Sequence, residues 1–132
     1  FGLKKAIELT MSNALNSLNV TYHIVIEGLP DAIEKEKQII IYRVIQESLN
    51  NIIKHSQASE VNLLIKATKS SIQVELSDNG IGFIMTKQAF DGFGLKTMEG
   101  RITIYGGKFT LSSQPNVGTC ITFTIPNNVE KT

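Results

Sequence analysis

The sequence predicts an α+β fold, a two-layer sandwich in which three helices cover one face of a mixed five-stranded sheet. Three segments repeat apolar residues at three- and four-residue steps, and five segments alternate apolar with polar residues. The two kinds of segment are interspersed along the chain, which favours one sheet with helices packed against it. The length of 132 residues suits a single domain, and we expect residues 1–132 to form it.

The first half of the chain contains two helix patterns and one strand pattern. Apolar residues at helical spacing predict a helix over residues 2–18, and alternation predicts a strand over residues 20–26. The sequence Gly28-Leu29-Pro30-Asp31 then turns the chain. The longest helix pattern follows over residues 33–55, and we expect its apolar stripe to face the sheet.

The second half of the chain predicts two hairpins with a loop and a short helix between them. The four strand patterns cover residues 61–66, 72–77, 108–113 and 119–125. Residues 78–94 are rich in glycine and poorly periodic, so we expect an irregular loop there. A helix is predicted over residues 95–105, and Gly106-Gly107 ends it.

Composition and charge exclude several classes of function. Thirteen basic residues, eleven of them Lys, stand against twelve acidic residues and leave a net charge of +1, so we expect no nucleic-acid partner. Cys120 is the single cysteine, which excludes a disulfide framework and a cysteine-based zinc site. No apolar run approaches the about 18 residues of a membrane span, which predicts a cytoplasmic domain. Because a helix pattern begins at Phe1 without an initiator Met, we expect a fragment of a longer protein, whose membrane anchoring stays open.

Four polar residues of the longest helix form a candidate site. Glu47, Asn51, Lys54 and His55 fall within an arc of about 100° beside the apolar stripe. Carboxylate and amide oxygens one turn apart, as in Glu47 and Asn51, suit Mg²⁺ when water and phosphate complete the shell. Lys54 and His55 suit contact with the phosphates. The alternative is a solvated helix edge without a ligand.

A second candidate is Asp78-Asn79-Gly80-Ile81-Gly82-Phe83, which directly follows a strand pattern. A carboxylate at a strand end can accept a hydrogen bond from an exocyclic amine such as that of adenine. Gly80 and Gly82 would let the backbone approach a flat base without side-chain collision. The alternative for this segment is a plain Asp-Asn-Gly turn.

Two further glycine segments lie beyond this one. Gly92-Phe93-Gly94-Leu95 runs into a helix, whose first backbone N–H groups favour an anion. Residues 84–92, between the two glycine segments, suit a short mobile lid. Gly118-Thr119 opens the last strand, where Gly permits close approach of the chain and Thr can reach a neighbouring loop.

These four segments, in this order, resemble the ATP-binding catalytic domain of bacterial sensor histidine kinases, which has the Bergerat-type fold shared with gyrase, MutL and heat-shock chaperone ATPases. Residues 42–55 are similar to the N box, the two longer glycine segments to the two glycine boxes, and Gly118-Thr119 to the final Gly-Thr pair. The resemblance runs from about residue 1 to residue 126. The Lys54-His55 pair, the short lid and the Gly94, Leu95, Met98 and Arg101 pattern resemble the nitrate-sensor-like subgroup.

The resemblance implies a role for each of these positions. Asn51 would bind Mg²⁺ and Asp78 the adenine amine, while the backbone of the second glycine box would contact the phosphates of ATP. Lys54 and His55 would assist at the phosphates. Glu47 occupies the position of the general base in the ATP-hydrolysing relatives.

The resemblance also implies partners outside this chain. Neither His23, in a strand pattern, nor His55 has the context of a phosphoacceptor, so the γ-phosphate would pass to a His on a separate helical dimerisation domain of the parent protein. A response regulator would follow. The fragment alone is expected to bind Mg·ATP, to phosphorylate essentially nothing and to remain monomeric. Two alternatives stay open, an anti-sigma-factor-type serine kinase and a non-catalytic nucleotide-binding module.

Overall fold

A computed structural model describes residues 2–29, 33–92 and 94–127 of the chain. Within these ranges the elements are α1 (Leu3–Leu15), β1 (Thr21–Glu27), α2 (Lys35–Asn51), β2 (Glu60–Ala67), β3 (Ser71–Asp78), α3 (Lys87–Gly92), α4 (Leu95–Ile104), β4 (Lys108–Gln114) and β5 (Gly118–Pro126). Parts of the predicted segments, namely Phe1, Pro30-Asp31 of the first turn and Phe93 of the second glycine segment, lie outside the described residues.

The five strands form one mixed sheet in the order β1-β2-β3-β5-β4. β1 and β2 run parallel because α2 connects them, and the other neighbouring pairs are antiparallel. The two predicted hairpins, β2–β3 and β4–β5, are therefore confirmed. Because β3 and β5 are antiparallel neighbours, the end of β3 lies beside the start of β5, with Asp78 opposite Thr119.

One face of the sheet carries the core. The alternation in β2, β3 and β5 places their apolar residues on this face, where Leu63 lies opposite Leu76 and Leu76 opposite Ile121. Helices α1, α2 and α4 bury their apolar stripes in the same cluster. The predicted sandwich of three helices on a five-stranded sheet is confirmed. In the part of the chain that the structure describes, no helix is both long and apolar enough to cross a membrane.

The prediction of an irregular loop throughout residues 78–94 is wrong in its second part, because Lys87–Gly92 forms the short helix α3. Thr86 begins this helix, since its side-chain oxygen accepts the N–H of Ala89 at 3.0 Å and its carbonyl accepts the N–H of Phe90 at 3.0 Å. Phe90 packs against the core. A helix of 6 residues is too short to show a helical period in the sequence.

The longest predicted helix changes its winding near its end. The α-helical part ends at Asn51, and Ile52–Ser56 continues as one turn of π-helix. Gln57 then adopts a left-handed backbone with φ 53°, which stops the helix. Such π turns recur at functional sites because they rotate the following side chains relative to an α-helix. Here the turn leaves Ile52 and Ser56 buried.

Candidate functional site

A cavity of about 290 Å³ opens between the end of α2, the sheet and the segment that follows β3. Its apolar lining consists of Ile52, Leu76, Ile81, Phe83, Leu95, Leu111 and Ile121. Its other lining residues are Ser48, Asn51, His55, Ser56, Asp78, Gly82 and Thr119. A mostly apolar slot with a few polar groups is typical of a site for a small organic ligand.

Asp78 brings a carboxylate to the wall of this cavity. It is the last residue of β3, and its Oδ1 accepts the N–H of Gly80 at 2.7 Å. Burial raises the pKa of the Asp78 carboxyl above its ordinary value, and hydrogen bonds from the N–H groups of Gly80 and Thr119 offset part of that shift. A ligand that donates a hydrogen bond to this carboxylate would replace the water that burial removes.

The two glycines after Asp78 are required by contacts within the protein. A Cβ at Gly80 would collide with the carbonyl oxygen of Ser56, which also accepts the N–H of Ile81 at 2.7 Å. Gly82 has φ +60°, and a Cβ there would collide with the carbonyl oxygen of Gln114. The segment is therefore packed closely between two backbone carbonyls, and one of them, that of Ser56, is hydrogen-bonded to it.

Gly82→Ala is expected to destabilise the protein by about 2 kcal/mol, because the side chain adds both a collision and an unfavourable positive φ. Thermal unfolding should show a Tm lower by roughly 8 °C. Gly100→Ala is the matched control, since Gly100 lies within α4 and has nothing within 4 Å of an added Cβ. It should stabilise the protein by about 0.5–1 kcal/mol. A Gly82→Ala variant as stable as the parent would contradict the contact with Gln114.

The predicted polar arc on the longest helix is only partly directed at the cavity. Asn51, half-buried, and His55 line it. Glu47 and Lys54 are not among the residues that line it. Glu47 instead forms an ion pair and a hydrogen bond with Arg101 of α4, and both side chains are about one-third exposed.

The second glycine segment brings the start of α4 to the cavity. Gly92 ends α3, and Gly94 precedes α4 with a left-handed backbone of φ +70°. Leu95, the first residue of α4, is buried and lines the cavity. The N–H groups of the first turn have no acceptor within the helix, and Gly94 has no side chain to bond them. They remain suited to an anion, as the helix dipole also favours.

Sequence reasoning missed Ser113, which lies in β4 opposite Thr119. Its Oγ accepts the N–H of Phe83 at 2.9 Å and lies 2.8 Å from the Oγ1 of Thr119. In the sequence Ser113 stands between two other polar residues, Ser112 and Gln114, and nothing distinguishes it from them. The signal was available only through the β4–β5 pairing, which sets Ser113 beside the predicted Gly118-Thr119 position.

The described part of the chain shows no cluster of side chains that could hold Mg²⁺ by itself. Among the residues that the structure describes, no group of three or more His, Cys, Asp or Glu side chains is arranged to hold a metal ion. Mg²⁺ carried by a phosphorylated ligand needs only one or two protein oxygens, because phosphate and water supply the rest. The Asn51 amide on the cavity wall fits that requirement.

Comparisons with known proteins identify the family. Residues 36–129 match the family model described as histidine kinase-, DNA gyrase B- and HSP90-like ATPase. The chain is 35% identical over 105 residues to the signal transduction histidine-protein kinase/phosphatase DegS of Brevibacillus brevis, with 80% of this chain and 26% of that protein aligned. It is 32% identical over 113 residues to the oxygen sensor histidine kinase NreB of Staphylococcus carnosus, with 83% and 31% aligned. The chain thus spans less than a third of the length of these two relatives.

Solved structures agree with the fold. The ATP binding domain of PrrB from Mycobacterium tuberculosis superposes with a TM-score of 0.75 at 18% identity, covering 96% of this chain and 95% of that one. The histidine kinase AdeS of Acinetobacter baumannii gives a TM-score of 0.76 at 19% identity, covering 97% and 66%. The resemblance seen in the sequence motifs is confirmed, and the chain belongs to the histidine kinase-, DNA gyrase B- and HSP90-like ATPase family, with the fold of a histidine-kinase catalytic domain.

Proposed function

We propose that this chain binds Mg·ATP and supplies the γ-phosphate for autophosphorylation of a His on a separate helical dimerisation domain of its parent protein. The observation that carries the proposal is Asp78, a half-buried carboxylate that lines a mostly apolar cavity. It would accept a hydrogen bond from the exocyclic amine of adenine. Leu76 and Ile121 on the sheet side and Ile52 on the helix side would enclose the base and exclude water.

The phosphates of ATP would lie toward the start of α4. Gly92, Gly94 and Leu95 form the approach to this helix, and the backbone N–H groups of its first turn are suited to anionic oxygens. His55 lines the cavity from the other side, and Lys54 precedes it in the same π turn. We propose that both residues add positive charge or hydrogen-bond donors at the phosphates.

Asn51 would hold Mg²⁺ through its amide oxygen, with the phosphates and water as the other ligands. When bound, Mg²⁺ neutralises negative charge on the transferred phosphoryl group. Glu47 stays a candidate base or second metal ligand, and its ion pair with Arg101 must open before it can serve in either role. While the ion pair is formed, it links α2 to α4. It thereby fixes the position of Asn51 relative to the start of α4.

The transfer itself requires a partner domain. The bond between the γ-phosphorus and the bridging oxygen of ADP would break, while a bond forms to an imidazole nitrogen of the acceptor His. The names of the sensor-kinase relatives and the small share of their length that this chain spans support a place within a longer, two-component kinase. We propose that residues 1–132 are one cytoplasmic domain of it, monomeric alone, and that a response regulator receives the phosphoryl group.

Calorimetric titration with a non-hydrolysable ATP analogue tests the proposal, with the matching GTP analogue as control. We expect micromolar binding of the ATP analogue, tighter with Mg²⁺ than without, and much weaker binding of the GTP analogue. A folded protein that binds neither would contradict the proposal and favour a non-catalytic module. In the full-length parent, acid-labile phosphate indicates phosphohistidine, whereas acid-stable phosphate would indicate a serine kinase.

A further inference from the structure

The hydroxyl of Ser113 lies where β4, β5 and the glycine segment after β3 meet. It accepts the N–H of Phe83 at 2.9 Å, donates to the carbonyl of Gly118 at 3.2 Å and lies 2.8 Å from the Oγ1 of Thr119. Ser113 does not itself line the cavity, whereas Phe83 and Thr119 do. Its three partners therefore connect it to the cavity wall from behind.

The hydrogen bonds of Ser113 fix the direction of the Thr119 hydroxyl. A serine hydroxyl has one hydrogen and two lone pairs. The Phe83 N–H uses one lone pair, and the Gly118 carbonyl, which can only accept, uses the hydrogen. Either hydroxyl could donate in the contact between Ser113 and Thr119, but all three contacts are hydrogen bonds at once only when Thr119 donates its hydrogen to the remaining lone pair of Ser113. The Thr119 oxygen is left with lone pairs alone for any other partner.

With the Thr119 hydroxyl in this direction, the cavity presents two hydrogen-bond acceptors side by side, at Asp78 and at Thr119. Thr119 lies opposite Asp78 in the sheet, its N–H bonds the Asp78 carboxyl, and both residues line the cavity. An ionised carboxylate only accepts hydrogen bonds, and a Thr119 hydroxyl held by Ser113 also only accepts. A ligand amine satisfies two acceptors at once, while a ligand carbonyl at the same place would face two acceptors without a donor.

We propose that Ser113 is a positioning residue that makes the cavity select a 6-amino purine over a 6-oxo purine. It does so by holding the Thr119 hydroxyl as an acceptor. The inference rests on the proposed binding of ATP and adds to it a specificity determinant outside the ligand's direct contacts. Without Ser113 the Thr119 hydroxyl can rotate and donate to a carbonyl, so the discrimination against a 6-oxo purine weakens.

The test is the ratio of the dissociation constants of the GTP and ATP analogues, measured by titration calorimetry. Ser113→Ala should lower this ratio about tenfold. Ser113→Thr keeps the hydroxyl and suits a strand, so it should return the ratio to within about twofold of the parent value. Ser112→Ala is the matched control, because Ser112 is the neighbouring, exposed residue of β4 and should leave the ratio unchanged.

A double-mutant cycle separates this role from a merely structural one. Thr119→Val removes the hydroxyl and should lower the ratio, and adding Ser113→Ala to it should change the ratio no further. A structural role would instead weaken both analogues equally and leave the ratio constant, which would overturn the inference while selective binding by the parent still stands. A parent protein that binds neither analogue would overturn the proposed function itself. Should Ser113→Ala fail to fold, Ser113→Cys, a weaker hydrogen-bonding group of similar size, carries the same expectation.

Discussion

Asp78→Asn is expected to weaken binding of the ATP analogue about 30-fold, or ~2 kcal/mol. The reason is that a carboxylate only accepts hydrogen bonds, whereas the amide that replaces it also carries a donor NH₂ group. The amide has one oxygen to accept the backbone N–H groups of Gly80 and Thr119. Its NH₂ group, itself a donor, would therefore face one of these N–H donors. Titration calorimetry measures the effect. Glu75→Gln is the matched control, since Glu75 lies exposed on the same strand. Equal affinities of the Asp78→Asn variant and the parent would contradict the adenine assignment.

The pH profile of binding gives a second measure of the same residue. Burial raises the pKa of Asp78 above 3.8, so its carboxylate gains a proton, and loses acceptor strength, at a higher pH than an ordinary Asp. The affinity of the parent should fall as the pH decreases through that raised pKa, and Asp78→Asn should show a flatter profile. The same protonation adds stability to the unliganded fold as the pH falls toward 3.8, so unfolding of this origin does not imitate the loss. If the affinities of the parent and of Asp78→Asn changed with pH in the same way, Asp78 would not be the group that binds the ligand amine.

Asn51→Ala is expected to lower phosphoryl transfer in the full-length parent by on the order of 100-fold, about 3 kcal/mol of transition-state stabilisation. The variant removes the oxygen that is proposed to bind the metal but leaves the apolar cavity walls in place, so the affinity for the ATP analogue without Mg²⁺ should stay within about threefold. Asn50→Ala is the matched control, because Asn50 is the adjacent, exposed residue of α2. Autophosphorylation with labelled ATP measures the transfer.

The metal dependence of binding tests the same role on the isolated domain. In the parent, Mg²⁺ should tighten binding of the ATP analogue, and in Asn51→Ala this gain should be largely lost. A variant that transfers phosphate as fast as the parent, or that keeps the full Mg²⁺ effect, would remove Asn51 from the metal site.

Much of the fold follows from periodicity, and its limits are physical. Long amphipathic segments specify their own helix or strand because each must bury one face, which is why the three large helices and the five strands were predictable. The helix α3 was not, since its 6 residues, fewer than two turns, show no helical period. The order of the strands was not predicted either, because it depends on which neighbours the helices bring together.

The candidate site shows the same division. Asp78, Asn51, His55 and Thr119 were named from the sequence, and the structure brings them to one cavity. Glu47 was named for metal or base chemistry, and the structure pairs it with Arg101, a contact between two helices that no local pattern encodes. Ser113 does not line the cavity, and only the pairing of β4 with β5 places it beside Thr119.

The contacts of the glycine segment after β3 divide the cavity into two halves. The two halves differ in the conformational entropy that the protein loses when a ligand binds there. In this segment Ile81 is hydrogen-bonded to Ser56 and to Asn116, and Phe83 is hydrogen-bonded to Ser113. The half of the cavity that would hold the base is therefore already ordered. Immediately beyond, Ile84 is 70% exposed, and no residue of α3 is fully buried. When a ligand binds to the first half, the protein loses little conformational entropy. Ordering the half toward the phosphates costs more conformational entropy, because that part of the chain is less fixed beforehand. The base would therefore contribute most of the affinity, and the phosphates most of the conformational change.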